Sequence, residues 1–140
     1  MIVYLDTSAL IKLFIDEPGT KETANALDEA GAVFTHIITY AEARAALAKA
    51  ARMKRITNQR HASYKVALEN YWDNLEVITL NLPLIKRAGN LAENHALRGY
   101  DSIHLAAAEL VFRQHIEFTF ACFDKNLNMA ASAMGIKTLV

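Results

Sequence analysis

Short apolar runs alternate with longer amphipathic stretches along this chain. The runs are rich in β-forming residues, which is typical of strands buried on both faces of a sheet. In the stretches between them, apolar residues recur every three or four positions, and this spacing predicts helices. The predicted strands are 1–5, 32–37, 76–80, 118–123 and 136–140.

Helix boundaries are marked by proline, glycine and capping residues. The Pro18-Gly19 pair ends the first helix, and Asn81 with Pro83 begins the fifth. Strands separated by helices imply right-handed parallel crossovers, so we expect a three-layer α/β/α sandwich with a central parallel sheet. The predicted helices lie at about 8–15, 20–30, 39–54, 57–75, 84–97, 102–115 and 125–134.

Composition agrees with one well-cored domain spanning residues 1–140. Hydrophobic residues make up 53% of the chain and charged residues 21%, with little proline or glycine for linkers. Cys122 is the single cysteine and cannot form an internal disulfide, which favours a reducing compartment. No stretch resembles a signal sequence or a membrane span, so we expect a cytoplasmic protein.

Overall charge gives no argument for a polyanionic partner, because 15 basic residues balance 15 acidic ones. The charges are nevertheless segregated locally, since every charged residue between Glu42 and Glu69 is basic. This stretch is either a patch for a phosphate backbone or the solvated faces of two helices. The sequence leaves both interpretations open.

Four acids lie where predicted strands end or helices begin. Asp6 and Asp124 directly follow strands, Glu42 lies in the first turn after a strand, and Asp101 begins a helix. In a parallel sheet these positions share one edge, the edge at which α/β proteins bind ligands. Each acid also has a structural alternative as a helix cap, and Thr39-x-x-Glu42 fits a capping box.

Four converging carboxylates would repel one another by about 3–4 kcal/mol per close pair at an effective dielectric near 20. A divalent cation relieves that repulsion. Hard oxygen donors without a cysteine or histidine cluster point to Mg²⁺ or Mn²⁺ rather than zinc. Such a site suits phosphodiester hydrolysis, because the ion activates water and neutralises charge developing on phosphate.

The ordered set of motifs around these acids resembles the PIN domain, in particular the VapC toxins of prokaryotic toxin-antitoxin pairs. The resemblance implies a sheet of order 3-2-1-4-5 and a Mg²⁺- or Mn²⁺-dependent endoribonuclease. It also implies a homodimer and inhibition by a VapB-type antitoxin encoded beside the gene. The motifs are Leu5-Asp6-Thr7-Ser8-Ala9, Thr39-x-x-Glu42, Tyr100-Asp101-Ser102-Ile103-His104-Leu105-Ala106 and Phe123-Asp124-Lys125-Asn126-Leu127.

The resemblance assigns a role to each acid. Asp6 and Asp101 would be the principal metal ligands, Glu42 a ligand or a water-orienting base, and Asp124 the fourth acid. His104 lies in an apolar stripe, which favours a buried, satisfied histidine over a ligand. The candidate supporting residues are Thr7, Ser8 and Asn128, and the candidate RNA-binding residues are Arg44, Lys49, Arg52 and Arg55.

Two other functions compete with the nuclease. In a non-catalytic interaction module the acids would be caps, the aromatic helix around Tyr64 to Trp72 would face a partner, and metal affinity would be low. In a haloacid-dehalogenase-like hydrolase the first strand would be followed by Asp-x-Asp. Here Ser8 stands two residues after Asp6, so the motif of that class is absent.

Overall fold

A parallel sheet lies between two layers of helices in the computed structural model, which describes residues 1–140. The strand order is β3-β2-β1-β4, and every pair of neighbours is parallel. The predicted α/β/α architecture and the order of the first four strands are therefore confirmed. The strands are β1 (Ile2–Leu5), β2 (Ala32–His36), β3 (Glu76–Ile78) and β4 (Phe118–Ala121).

The fifth predicted strand, 136–140, is reduced to a single bridge in which Thr138 faces Phe120. Only two backbone hydrogen bonds hold it beside β4, from Phe120 N to Lys137 O at 2.8 Å and from Leu139 N to Phe120 O at 3.0 Å. Its start is occupied by the end of the last helix, because Ile136 N donates to Ala131 O. The prediction of a full strand here was wrong, although the segment lies at the predicted edge.

Seven helices and one 3₁₀ turn, Ile11–Leu13, connect the strands. None of these helices is both long and apolar enough to cross a lipid bilayer. The helices are α1 (Thr7–Leu10), α2 (Thr20–Glu29), α3 (Ile38–Arg52), α4 (Asn58–Trp72), α5 (Leu82–His95), α6 (Gly99–Phe112) and α7 (Lys125–Ala133).

Helix α6 begins three residues earlier than the sequence suggested. Arg98 has an extended backbone and acts as the N-cap residue, so Gly99 is the first helical residue and not a break. The early start places Asp101 inside the first turn of α6, where it caps nothing.

The central strand β1 is buried on both faces. Tyr4 packs into the core formed with α5, α6 and α7, whereas Val3 and Leu5 pack into the core formed with α1, α3 and α4. All three side chains are fully buried. This double burial explains the continuous apolar run at the start of the chain, and it makes the end of β1 a rigid position.

Outside the sheet, α5 and α6 are joined by an ion pair. Arg87 donates from Nε and Nη2 to the two carboxylate oxygens of Glu109, at 2.8 and 2.7 Å. The Glu109 side chain is only 10% exposed. Its hydrogen bond with Arg87 outweighs burial and lowers the pKa of the Glu109 carboxyl.

Glu109→Gln is therefore expected to lower the free energy of unfolding by about 1–3 kcal/mol at neutral pH, because the guanidinium loses its charged partner. The lowered pKa means that this contribution is present above the ordinary value of about 4.5 and is lost as pH falls through the folded-state pKa. Urea unfolding at neutral and acidic pH measures the difference in unfolding free energy between wild type and Glu109→Gln, with the exposed Glu93→Gln as control. A difference that stays constant as the pH falls would contradict this role of Glu109.

Candidate functional site

Asp6 continues directly from β1 into the first turn of α1. Its backbone N still donates to Ala121 O at 3.0 Å, so the residue is held in line with the sheet. Oxygen Oδ2 accepts from Ser8 N at 3.1 Å and from Ser8 Oγ at 2.6 Å, which caps α1. The other oxygen, Oδ1, lies 3.6 Å from His104 Nε2. One carboxylate therefore caps a helix with one oxygen and faces the sheet edge with the other.

Glu42 lies one turn into α3 and does not form the capping box. No side chain caps α3, and the Thr39 hydroxyl is 2.7 Å from the Thr35 hydroxyl instead. Glu42 Oε1 accepts from Thr7 Oγ1 at 2.7 Å and lies 2.6 Å from His104 Nε2. The capping alternative for Glu42 is thus wrong, because its side chain turns toward the end of β1.

His104 joins the core to the acids. Its ring is 1% exposed, with Nδ1 hydrogen-bonded to Tyr4 OH at 2.8 Å and Nε2 hydrogen-bonded to Glu42. The sequence predicted a buried, satisfied histidine, but it missed that the partners are site acids. One signal was available, since His104 follows Asp101 by three residues and so lies one turn along the same helix face.

The contact between His104 and Glu42 favours the charged form of each side chain. Burial alone lowers the pKa of His104, but the hydrogen bond with Glu42 and the charges of Asp6 and Asp101 outweigh it and raise that pKa. Burial likewise opposes ionisation of Glu42, yet the hydrogen bonds from His104 and Thr7 lower its pKa. The contact therefore favours a carboxylate at Glu42, and the imidazolium form of His104 would offset part of the negative charge of the acids.

The Arg98 side chain contacts the other two acids, Asp101 and Asp124. Arg98 Nε donates to Asp101 Oδ2 at 3.2 Å, and Arg98 Nη2 lies 3.8 Å from Asp124 Oδ2. Asp124 Oδ1 accepts from Leu127 N at 2.9 Å and caps α7. Like Asp6, Asp124 uses one oxygen as a cap and leaves the other for the site.

Electrostatic coupling links the two halves of the cluster. Burial raises the pKa of Asp101, and the charges of Asp124 and Asp6 raise it further against the opposing effect of Arg98. The four predicted acids therefore meet at one sheet edge, where Asp101 stands in an excess of negative charge. A divalent cation would relieve that excess.

The available ligand atoms are of the type that binds a hard cation. The carboxylates offer oxygen, and the single thiol, Cys122, is buried, which raises its pKa and keeps it protonated. As the side chains stand, no three histidine, cysteine, aspartate or glutamate groups are close enough together to ligate one ion. Ligation of one ion by three of these acids thus requires their side chains to move closer together.

Comparison with known proteins agrees with this arrangement. Residues 3–131 match the PIN domain family. This chain belongs to the PIN-domain family. Ribonuclease VapC49 from Mycobacterium tuberculosis (strain ATCC 25618 / H37Rv) is 35% identical over 136 residues, which cover 97% of this chain and 93% of VapC49. The resemblance to PIN domains of the VapC group is confirmed.

Solved structures share the fold of this PIN domain at low sequence identity. The crystal structure of FitAcB from Neisseria gonorrhoeae has a TM-score of 0.71 at 18% identity, covering 99% of this chain and 96% of that one. A toxin-antitoxin complex from Klebsiella pneumoniae has a TM-score of 0.66 at 21% identity, with coverage of 100% and 98%. These likenesses extend over the whole architecture.

The three predicted supporting residues of the PIN domain lie around the acids in different ways. Thr7 and Ser8 bond Glu42 and Asp6, and Ser8 Oγ also accepts from Phe123 N at 2.9 Å, which ties α1 to the end of β4. The Asn128 side chain hydrogen-bonds to none of the four acid side chains, and its backbone N donates to Asp124 O at 3.0 Å. Its Nδ2 donates to Cys122 O at 2.8 Å and so braces the segment leading to Asp124.

The basic stretch runs away from the acids along α3. At 1.5 Å per residue, Lys49 and Arg52 lie roughly 10 and 15 Å from Glu42 along the helix axis. Arg44 donates to Tyr40 OH at 2.8 Å, and Arg55 donates to Glu17 Oε2 at 3.0 Å. The structure therefore does not bring the predicted RNA-binding residues into the acidic cluster.

A cleft of about 410 Å³ opens beside the acids of this PIN domain. Its walls carry two of the four acids, a cation and an aromatic ring at the start of α6. The lining residues are Glu42, Arg98, Gly99, Tyr100 and Asp101.

Proposed function

We propose that this PIN domain, residues 1–140, is a divalent-metal-dependent endoribonuclease that hydrolyses RNA phosphodiester bonds. The observation that carries the proposal is the convergence of Asp6, Glu42, Asp101 and Asp124 at the carboxyl ends of the parallel strands. The relation to a ribonuclease at 35% identity over 97% of the chain supports it.

In this proposal Asp6 and Asp101 hold Mg²⁺ or Mn²⁺, and Asp124 is the fourth acid. When bound, the ion supplies positive charge that makes water a better nucleophile and neutralises charge developing on the phosphate. Glu42 is a further ligand or accepts the proton of the attacking water. Its Oε1 is taken by Thr7 and His104, which leaves Oε2 free for that task.

The chain's own hydrogen bonds prepare the acids for this chemistry. His104 and Thr7 keep Glu42 ionised and fix its orientation, and Ser8 fixes Asp6. Such partners hold ligands in place before substrate arrives, so little reorganisation is needed during reaction.

The non-catalytic alternative receives less support. Asp6 and Asp124 do cap helices, as that alternative requires. Glu42 and Asp101, however, cap nothing, and Asp101 lies half-buried next to other acids, which raises its pKa and costs stability. A catalytic site explains this cost.

The direct test is cleavage of single-stranded and structured RNA with Mg²⁺ or Mn²⁺, with EDTA, and with excess Mn²⁺ restored after EDTA. We expect cut products only where a divalent ion is free in solution. Equal cleavage in EDTA would overturn the metal-dependent mechanism, and no cleavage of any RNA would overturn the nuclease.

We propose that the protein acts as a toxin in the cytoplasm, pairs with a VapB-like antitoxin and forms a homodimer. The antitoxin is supported by the Klebsiella toxin-antitoxin complex, which shares the fold over the full chain. The cytoplasm is where RNA is available and where the free thiol of Cys122 stays reduced.

We also propose that Arg44, Lys49, Arg52 and Arg55 contact the RNA backbone beyond the cleft. Lys49 and Arg52 are the best probes, because neither forms an ion pair. Lys49→Ala with Arg52→Ala should reduce the slope of log affinity against log salt by about 1.4, at roughly 0.7 per phosphate contact on a single strand. Fluorescence anisotropy at several salt concentrations measures the slope, with Lys86→Ala on α5 as control. An unchanged slope would remove these two residues from the RNA path.

A further inference from the structure

Tyr100 is an aromatic residue that is packed in neither hydrophobic core. The chain has six phenylalanines, five tyrosines and one tryptophan. Eleven of these twelve are buried or half-buried, whereas Tyr100 is 66% exposed. It belongs to neither hydrophobic core, stacks on no other ring, and its hydroxyl makes no hydrogen bond. A large ring left in water without an internal partner is available to a ligand.

The position of Tyr100 indicates which ligand this is. Tyr100 is the one hydrophobic residue lining the cleft and directly precedes Asp101. On the same wall, the Arg98 side chain is 84% exposed, and its Nη1 makes no contact. An aromatic face beside an exposed guanidinium is the combination by which proteins hold single-stranded nucleic acid, with the ring stacking on a base and the cation meeting a phosphate.

We propose that Tyr100 is a substrate-positioning residue whose ring stacks on an unpaired base next to the phosphate that enters the acidic cleft. This inference rests on the proposed ribonuclease function and names the substrate class of that same site. Bases inside a duplex already stack on their neighbours, so they cannot offer a face to the ring. Tyr100 therefore makes the enzyme prefer loops and single strands over helical RNA.

The test compares Tyr100→Ala and Tyr100→Phe on a short RNA that the wild type cleaves and on its twin with an abasic nucleotide beside the cut. Tyr100→Ala should raise KM about tenfold on the intact RNA with little change in kcat. Tyr100→Phe should keep the wild-type KM, because stacking uses the ring. On the abasic twin, wild type and Tyr100→Ala should be equal.

Leu110→Ala is the matched control, since Leu110 is a half-exposed apolar residue on the same helix, far from the cleft. An equal KM increase on both RNAs would overturn stacking, as would an unchanged KM. Loss of antitoxin affinity alone would assign Tyr100 to a protein interface instead.

Measurements of RNA affinity test stacking by Tyr100 independently of the proposed nuclease activity. If no RNA is cut, affinity for a short single-stranded RNA and for its twin with abasic nucleotides throughout is measured with Asp101→Asn and with Asp101→Asn carrying Tyr100→Ala. A tenfold weaker affinity of the double variant for the intact RNA alone would support stacking while the nuclease fails. Equal affinities would overturn stacking whatever the outcome for cleavage.

Discussion

Asp101→Asn is expected to lower the rate of RNA cleavage by about a hundred- to a thousandfold, the effect of removing one preorganised group that stabilises transition-state charge. Asparagine keeps the shape of the side chain but loses the charge that a metal ligand supplies. The fold should tolerate the change, because Asp101 caps no helix and loses repulsion from Asp6 and Asp124. RNA affinity should stay within about threefold of wild type, since the RNA contacts proposed above do not involve this carboxylate.

Single-turnover cleavage of a labelled RNA measures the cleavage rate, and fluorescence anisotropy of the same RNA measures the affinity. Asp28→Asn, an exposed aspartate on α2 without an ion pair, is the matched control and should behave as wild type. An undiminished cleavage rate for Asp101→Asn would remove it from the reaction. A loss of affinity as large as the loss of rate would make it a binding residue.

His104→Gln is expected to lower cleavage by about ten- to a hundredfold, the usual effect of losing a partner that orients a metal ligand. Glutamine can still hydrogen-bond within the core, but it carries no charge to hold Glu42 and Asp6. The loss should appear mainly in kcat and in Mn²⁺ affinity rather than in RNA affinity, because His104 is buried below the acids. A change confined to RNA affinity would contradict this role.

The pH dependence of the unfolding free energy, measured in EDTA, gives an independent test of His104. The fold raises the pKa of His104 above its ordinary value of 6.5. Its contribution to stability is therefore fully present below about 6.5 and is lost as pH rises through the raised folded-state pKa. The difference in unfolding free energy between wild type and His104→Gln, measured with urea, should narrow across that window, and a difference of constant size would contradict this role of His104.

Strands β1 and β4 could be predicted because burial on both faces leaves a continuous apolar run. The segment 136–140 is also rich in β-branched residues, but Ile136 bonds back to the end of α7, and only Thr138 pairs with β4. The start of α6 was predicted too late because Gly99 was taken as a break. Its backbone is helical there, and the cap is Arg98.

The sequence could predict that the four acids lie at one sheet edge, but not which side chains they contact. Parallel topology alone places the acids at one edge. Local patterns could not decide where Glu42 points, because Thr39-x-x-Glu42 fits a capping box equally well. Its actual partner, His104, lies 62 residues away, and the Tyr4 contact that holds His104 spans 100 residues.

For two of the acids, capping a helix and belonging to the candidate site are compatible roles. Asp6 and Asp124 each commit one carboxylate oxygen to a helix, and the other oxygen lies near His104 or Arg98 in the acidic cluster. A cap fixes the side chain's rotamer, so capping positions the free oxygen for ligation. Sequence patterns that favour a cap therefore do not count against a metal ligand.

The central claim is that the acids hold the ion that RNA cleavage needs. Mn²⁺ titration of the wild type and of Asp6→Asn, followed by calorimetry and by RNA cleavage under the same conditions, tests it most directly. Asparagine is also a good N-cap, so Asp6→Asn should stay folded. We expect the wild type to bind Mn²⁺ with a half-saturation that matches half-maximal cleavage, and Asp6→Asn to lose both. Wild-type cleavage by Asp6→Asn, or full cleavage before Mn²⁺ binds, would contradict the claim.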